Sequence, residues 1–342
     1  MAGEAEIALE RGLMAAGIGA AAARAEAVPT VDLAADNETA AAAMWEAASS
    51  IGFFQVVNHG IPQAEIDAAF GAAAAFFARP LQDKEAESPF AREANSGYEF
   101  MKQVRPSTGT PDQKESLQIT ARAGAMDGRW PQQPQGFEGS ARRFLDLAHG
   151  LGCRILDLLE PRACPQLEAG TLSRSHTLWG ADGQSTLRLL HYLPLEAAAV
   201  GALRAEGNGM QHWRAGPHTD WDCVTLLFQR PSEAGLECAP NPRQAGAVGG
   251  APAAAWLEVP PQEGAVAVNI GDMLARWSDG RLLSNLHRVR LPLPEECEPP
   301  RSRFSMAVFL QADQSVVLES EKHETVTAGE YILSRIRGNY SK

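Results

Sequence analysis

His218 and Asp220 stand two residues apart in Gly216-Pro217-His218-Thr219-Asp220. In an extended strand, residues i and i+2 point to the same face, so this imidazole and this carboxylate converge on one point. Two ligands do not hold a catalytic metal firmly, and a third must come from elsewhere in the chain. Two histidines and one carboxylate on one side of a metal leave positions open on the other. That arrangement suits non-haem Fe(II), which must bind a cosubstrate and dioxygen together. His287, in Asn285-Leu286-His287-Arg288-Val289, is the candidate third ligand. An isolated His-x-Asp is common by chance, and His59, His149, His176, His191, His212 and His323 compete with His287.

Arg303 and Ser305 have the same two-residue spacing. A guanidinium grips a carboxylate through two parallel donors, and a neighbouring hydroxyl adds a third contact. A dicarboxylate that chelates a metal at one end is well matched to such a pair at its other end.

The elements that must position these residues change character along the chain. Residues 28–33 read as a short strand, 37–50 as an Ala-rich helix and 52–58 as a buried strand. Pro62 opens a helix to about Phe77, and residues 138–160 form a second long helix that ends before Pro161. Residues 80–115 are mixed and polar. From about residue 185, short apolar and β-branched runs alternate with Gly/Pro turns: 185–193, 222–229, 255–259, 265–270, 286–291 and 303–310. Many short strands suggest a β-sandwich or barrel. Residues 196–216 and 239–254 read as loops, the latter a surface insertion, and 326–338 as a closing helix.

The bulk composition restricts the partners. With 342 residues, 45% hydrophobic and 21% charged, the chain is an ordinary globular protein with a sizeable core. Its net charge of −12 repels phosphate backbones, which argues against a nucleic-acid partner and for a small-molecule substrate. No apolar run reaches membrane-spanning length. Five cysteines, an odd count without a Cys-x-x-Cys pair, point to reduced thiols and a cytoplasmic location. Residues 1–27 carry Glu4, Glu6 and Glu10 before an Ala-rich run, the wrong charge for a secretory leader, and read as an N-terminal extension.

Taken together, these motifs resemble the isopenicillin N synthase-like branch of the 2-oxoglutarate/Fe(II) dioxygenases, from about residue 28 to 338. GFFQVVNHGIP (52–62), Asp112-Gln113-Lys114-Glu115, Trp130-Pro131, LRLLHYLP (187–194), GPHTDWDCVTLLFQ (216–229), NIGDMLARWSDGRLLSNLHRVR (269–290) and RSRFSMAVFL (301–310) occur in the family's order. The resemblance implies a mainly β fold with flanking helices, a distorted double-stranded β-helix or jelly roll. Residues 28–160 would form its N-terminal α/β region and 161–342 the catalytic region, in one compact unit. It fixes His287 as the third iron ligand beside His218 and Asp220, and adds Tyr192 to Arg303 and Ser305 as 2-oxoglutarate contacts. Fe(II) and 2-oxoglutarate would then react with dioxygen, releasing succinate and CO2 while a substrate C–H bond is hydroxylated, desaturated or closed into a ring; ascorbate would serve as reductant. The alternatives are an Fe(II)/O2 oxidase that uses no 2-oxoglutarate and a non-catalytic jelly-roll binding protein.

Departures from the family pattern lie near the site. Leu190 stands where plant members usually have Asn, and the 193–218 and 287–303 stretches are longer than usual. Phe309 shares parity with Ser305 and is a candidate substrate contact, as are His212 and Trp213 in the long loop. Trp221 is a weaker candidate, since strand alternation favours core packing. Lys114 and Glu115 read as a structural ion pair or a solvated face, Arg188 as structural, and Asp272 as ordering the turn before the third-ligand segment.

Overall fold

The computed structural model describes residues 28–103, 111–205, 212–239 and 256–340. The expectations for residues 1–27 and for nearly all of 239–254 therefore lie outside the described residues. In chain order the elements are β1 (Thr30–Asp32), α1 (Asn37–Ser50), β2 (Phe53–Val57), α2 (Gln63–Phe77), α3 (Leu81–Glu87), β3 (Gly97–Phe100), β4 (Glu115–Thr120) and α4 (Phe137–Ala163). They continue with α5 (Thr171–Arg174), β5 (Thr186–Tyr192), α6 (Ala197–Ala205), β6 (Ala215–His218), β7 (Val224–Gln229), β8 (Leu236–Cys238), β9 (Leu257–Glu258) and β10 (Ala265–Ile270). The last are α7 (Asp272–Trp277), β11 (His287–Val289), β12 (Arg303–Leu310), β13 (Val317–Leu318), β14 (Val326–Thr327) and α8 (Ala328–Tyr340).

An eight-stranded sheet runs in the order β1-β2-β10-β7-β12-β5-β4-β3, and a four-stranded sheet in the order β6-β11-β8-β9. This is the jelly-roll core expected from the sequence. The 28–160 and 161–342 regions are not separable layers, because β2 pairs with β10 and β4 with β5 inside one sheet. Among the described residues no helix is long and apolar enough to cross a membrane. All five cysteines are unbonded.

Strand alternation divides each central strand between two jobs. On β12, Met306, Val308 and Leu310 are fully buried against the helical layer, whereas Arg303, Ala307 and Phe309 face a cavity between the sheets. The helical layer is anchored by α4, whose Phe144 meets Phe228 of β7 edge-on at 4.9 Å.

Two expectations are corrected. First, α4 runs past Pro161 to Ala163: its last turn buries Leu159 and Ala163 completely, and that packing outweighs the one hydrogen bond a proline forfeits. Second, 196–216 is not all loop. Its Ala-rich run forms α6, with Val200 buried against Leu291 and Cys297, and Ala215 opens β6. Beyond these, Glu115–Thr120 forms a fully buried strand that no expectation covered, because Glu115, Ser116, Gln118 and Thr120 find buried polar roles.

Candidate metal centre and cosubstrate pocket

The two strands that carry the histidines lie side by side, with His287 of β11 registered opposite His218 of β6. Their rings are 4.3 Å apart, and Asp220 lies between them: its two oxygens are 3.8 Å from His218 Nε2 and 3.6 Å from His287 Nε2. One ligand atom from each of the three residues lies within 4.8 Å of the others, the one such grouping among the described residues. The competing histidines are elsewhere. His176, for example, is fully buried with Nδ1 2.7 Å from the Leu172 carbonyl, and burial pushes it down to about 4.

The residues around the triad fix its orientation. His218 Nδ1 donates to the Gly216 carbonyl at 2.7 Å, which leaves the Nε2 lone pair directed at the shared point. Asp220 Oδ2 accepts from Thr225 Oγ1 at 2.6 Å and Asn269 Nδ2 at 2.9 Å. Asn285 Nδ2 donates to the carbonyls of Ile51 and Ala239, pinning the segment that leads to His287. Gly52 is required there: its φ is +78° and a Cβ would lie 2.1 Å from the Leu283 carbonyl oxygen. Asp272 does more than order a turn. Its carboxylate accepts from Thr219 at 2.9 Å, from Ser284 at 2.6 Å and from Arg335 of α8, while its N–H donates to the Asp220 carbonyl. It thereby ties the His218–Asp220 segment and the segment leading to His287 to the C-terminal helix.

Lys114 and Glu115 do not pair with each other. Lys114 bonds Asp112 at 2.5 Å, and Asp112 accepts the Gly216 N–H beside His218. Glu115 is buried among Lys84, Tyr98 and His191. Burial alone would raise its carboxyl, but the hydrogen bonds from His191, Lys84 and Tyr98 outweigh it and hold the group below the usual range. Asp222 shows the opposite balance: full burial, reinforced by Asp220, pushes it well above the usual carboxylate range.

At the other end of the cavity Arg303 is 1% exposed. Its Nη2 donates to Gln229 Oε1 at 3.0 Å, its Nε to the Glu233 carbonyl at 2.9 Å, and its guanidinium lies 4.8 Å from the Tyr192 ring centre. Ser305 Oγ is 3.5 Å from Nη1. Arg303, Tyr192 and Leu190 share the cavity with the triad.

The chain matches the 2OG-Fe(II) oxygenase superfamily over residues 187–312, and the N-terminal unit described as that of a non-haem dioxygenase in morphine synthesis over 28–136. It is 31% identical over 278 residues to gibberellin 2-beta-dioxygenase 2 of Oryza sativa subsp. japonica, covering 78% of this chain and 70% of that one. It belongs to the 2-oxoglutarate–Fe(II) oxygenases. It is also 28% identical over 320 residues to the 2-oxoglutarate-Fe(II) type oxidoreductase hxnY of Emericella nidulans, with 85% and 82% of the two chains covered. Among solved structures it is similar to a full-length Neurospora crassa protein in complex with alpha-KG, at a TM-score of 0.73 and 25% identity over 90% of this chain and 95% of that one. The protein is thus an oxidoreductase of the dioxygenase class, using iron, 2-oxoglutarate and dioxygen on a small molecule.

In this oxygenase the donor set fits iron: two imidazoles with Nε2 directed inward and one carboxylate, on one side of a cavity that a cosubstrate can enter. Of the substrate-contact candidates, only Phe309 lines the cavity. Trp221 packs on the helical side of the sheet, near Arg335. Trp213 is buried beside the Arg288 guanidinium at 4.4 Å, and neither it nor His212 reaches the cavity wall. Arg188 does reach it. The reading of Arg188 as structural is corrected by parity: it precedes Tyr192 by four residues on β5 and must share its face. Asp112, Thr225, Asn269 and Gln229 fall within the stretches that carry the family resemblance, but their roles behind the triad and Arg303 went unread, because those roles are spatial. Arg214, which the sequence grouped with His212 and Trp213 as a possible substrate contact, does not line the cavity either; it is a buried guanidinium pushed down to about 10 by desolvation and by Arg303.

Proposed function

We propose that His218, Asp220 and His287 hold the iron, that Arg303, with Tyr192 and Ser305, holds the far carboxylate of 2-oxoglutarate, and that the substrate occupies the remaining cavity. The observation that carries this reading is the sharing of one cavity by a three-ligand cluster and a buried arginine on an adjoining strand face. Bound there, iron and 2-oxoglutarate supply oxidising power from dioxygen, with succinate and CO2 as the by-products of substrate C–H oxidation. The chain's own work is placement. Thr225 and Asn269 hold the Asp220 carboxylate, Gly216 fixes the His218 tautomer, and Gln229 and Glu233 set the plane of Arg303. Apolar walls such as Leu227, Val289 and Phe309 exclude bulk water and orient the substrate.

The test is anaerobic titration of the iron-loaded protein. Arg303→Lys loses the paired donors of a guanidinium, which costs about 2–4 kcal/mol in a buried site. The 2-oxoglutarate dissociation constant should rise roughly 30- to 700-fold. Ser305→Ala and Tyr192→Phe should act the same way, more weakly. An unchanged constant in Arg303→Lys, with weakened binding of the main substrate, would instead mark an oxidase that uses no 2-oxoglutarate.

A further inference from the structure

The cavity carries two guanidiniums on one face of one strand ladder. Across β12 and β5, Arg303 is registered with Tyr192 and Ala307 with Arg188. Four residues of β-strand separate the two rungs by roughly 13 Å. A five-carbon diacid spans only about 5 Å between its terminal carbons, given C–C bonds of ~1.5 Å. A cosubstrate seated on Arg303 therefore leaves Arg188 at the other end of the chamber.

Arg188 is held in a set orientation. Its Nε donates to Oε1 of Gln118, the residue paired with it on β4, at 2.5 Å, and Gln118 is itself buried. The guanidinium carbon lies 5.5 Å from the ring centre of Phe309. Lys114, immediately before β4, also lines the cavity. The walls around these cations are apolar, among them Leu190, Leu227, Ala267 and Phe309. A cation against apolar surface interacts more strongly with an anion than it would in water. The chain as a whole carries a net charge of −12 and repels anions from its surface, so a cationic chamber wall works as a local selector.

We infer that Arg188 is the specificity-determining residue for the primary substrate, and that this substrate is a small organic acid: its carboxylate docks on Arg188, its apolar body lies along Phe309, and its reacting carbon is presented to the His218–Asp220–His287 cluster. This rests on the cavity being the substrate chamber of an oxygenase, as proposed above. Gln118 is a positioning residue for the same contact.

The experiment uses matched probes, 3-phenylpropanoate with 3-phenylpropanamide and 2-naphthylacetate with 2-naphthylacetamide. Each is titrated calorimetrically into the full chain loaded with Mn(II) and 2-oxoglutarate. In the native protein the acids should bind at least about 10-fold tighter than their amides, as charge-assisted bonds imply. Arg188→Gln should weaken the acids by about 10- to 100-fold and leave the amides within about twofold. Arg188→Lys, which keeps the charge but not the fork, should fall between them. The 2-oxoglutarate constant should stay within about twofold in both variants. Acids that bind no tighter than amides to the native protein overturn the inference. So does a preference that survives Arg188→Gln, or a 2-oxoglutarate constant that moves with Arg188. Failure of the underlying reading looks different: no succinate from iron, 2-oxoglutarate and oxygen, and no response of 2-oxoglutarate binding to Arg303→Lys, whatever the acid–amide comparison gives.

Discussion

The two sheets that face each other across the cavity are specified in different ways. In the eight-stranded sheet the central strands are six to eight residues long and pair in continuous register, with Leu187, Leu226, Val268 and Val308 fully buried against the helices. In the four-stranded sheet the strands are two to four residues long, and the β6–β11 pairing shifts register between His287 and Val289. Yet the short sheet carries both histidines. Its positions are set by side chains instead: Asp112 on the Gly216 N–H, Asn285 on two carbonyls, and a buried Arg288–Glu237 pair at 2.5 Å. Register suffices where apolar burial is large, and a short sheet needs polar braces. It follows that lesions in the short sheet should appear in metal binding, and lesions in the long one in stability.

The largest effect should come from the short sheet. His287→Ala removes one of three ligands, so turnover should fall by more than the 10- to 100-fold typical of residues behind a ligand, on the order of 1000-fold or beyond. Urea unfolding should be little changed, because His287 contributes no large apolar surface to the core. Full turnover in His287→Ala would dismiss the ligand assignment, and collapse of the fold would dismiss the division of labour.

Next comes the long sheet. Glu115 lies on β4, buried with Lys84 at 2.7 Å and His191 at 2.6 Å. Glu115→Gln leaves the Lys84 ammonium without its buried counter-charge, and should cost about 3 kcal/mol of stability at neutral pH. The carboxyl is held below its ordinary value in the folded state, so its stabilisation is fully present above the unfolded value of about 4.3 and is lost as pH falls through the lower folded value. The native protein should lose stability on that acid limb, and Glu115→Gln should lose less. A constant difference between the two proteins from pH 7 down to about pH 3 would contradict this.

What the sequence made legible follows the same division. Parity on a long strand places Arg303 and Phe309 on the cavity wall without any structure, and the same arithmetic applied to β5 places Arg188 there, where reading it as structural went astray. The His-x-Asp spacing suggests two of the proposed ligands, but the third depended on family resemblance, since nothing local to His287 says that β11 lies against β6. The braces were illegible. Asp112, Thr225 and Asn269 act across gaps in the chain that no local pattern reports. The strand 115–120 was hidden because its polar residues are satisfied inside the protein, which inverts the usual meaning of a polar run.

Asp272 tests whether the braces, rather than the strands, locate the triad. Its carboxylate joins Thr219, between two ligands, to Ser284, before the third, and to Arg335. Asp272→Ala should weaken metal binding or activity by about 10- to 100-fold. Mn(II) titration beside urea unfolding separates the outcomes. A loss of stability with intact metal affinity would make Asp272 a support for α8 alone.

Thr225 should give the smallest effect and the sharpest comparison, because it belongs to both regions. Its backbone sits in the long sheet, paired with Asn269 and Phe309, while its hydroxyl reaches Asp220 Oδ2 at 2.6 Å and Asp222 at 2.9 Å. Thr225→Val keeps the shape and the strand preference and removes only the hydroxyl. One hydrogen bond to a carboxylate is worth about 1.5 kcal/mol, or roughly tenfold in an equilibrium constant. That loss should appear in the Mn(II) dissociation constant, since the freed Asp220 carboxylate can turn away from the point it shares with the histidines. Stability should also fall, by about 1–2 kcal/mol, because the buried Asp222 carboxyl loses the hydroxyl partner that Val cannot supply. An unchanged metal constant with a lowered unfolding midpoint would mean that Thr225 serves the long sheet only, and that the Asp220 carboxylate is held in place by Asn269 without it.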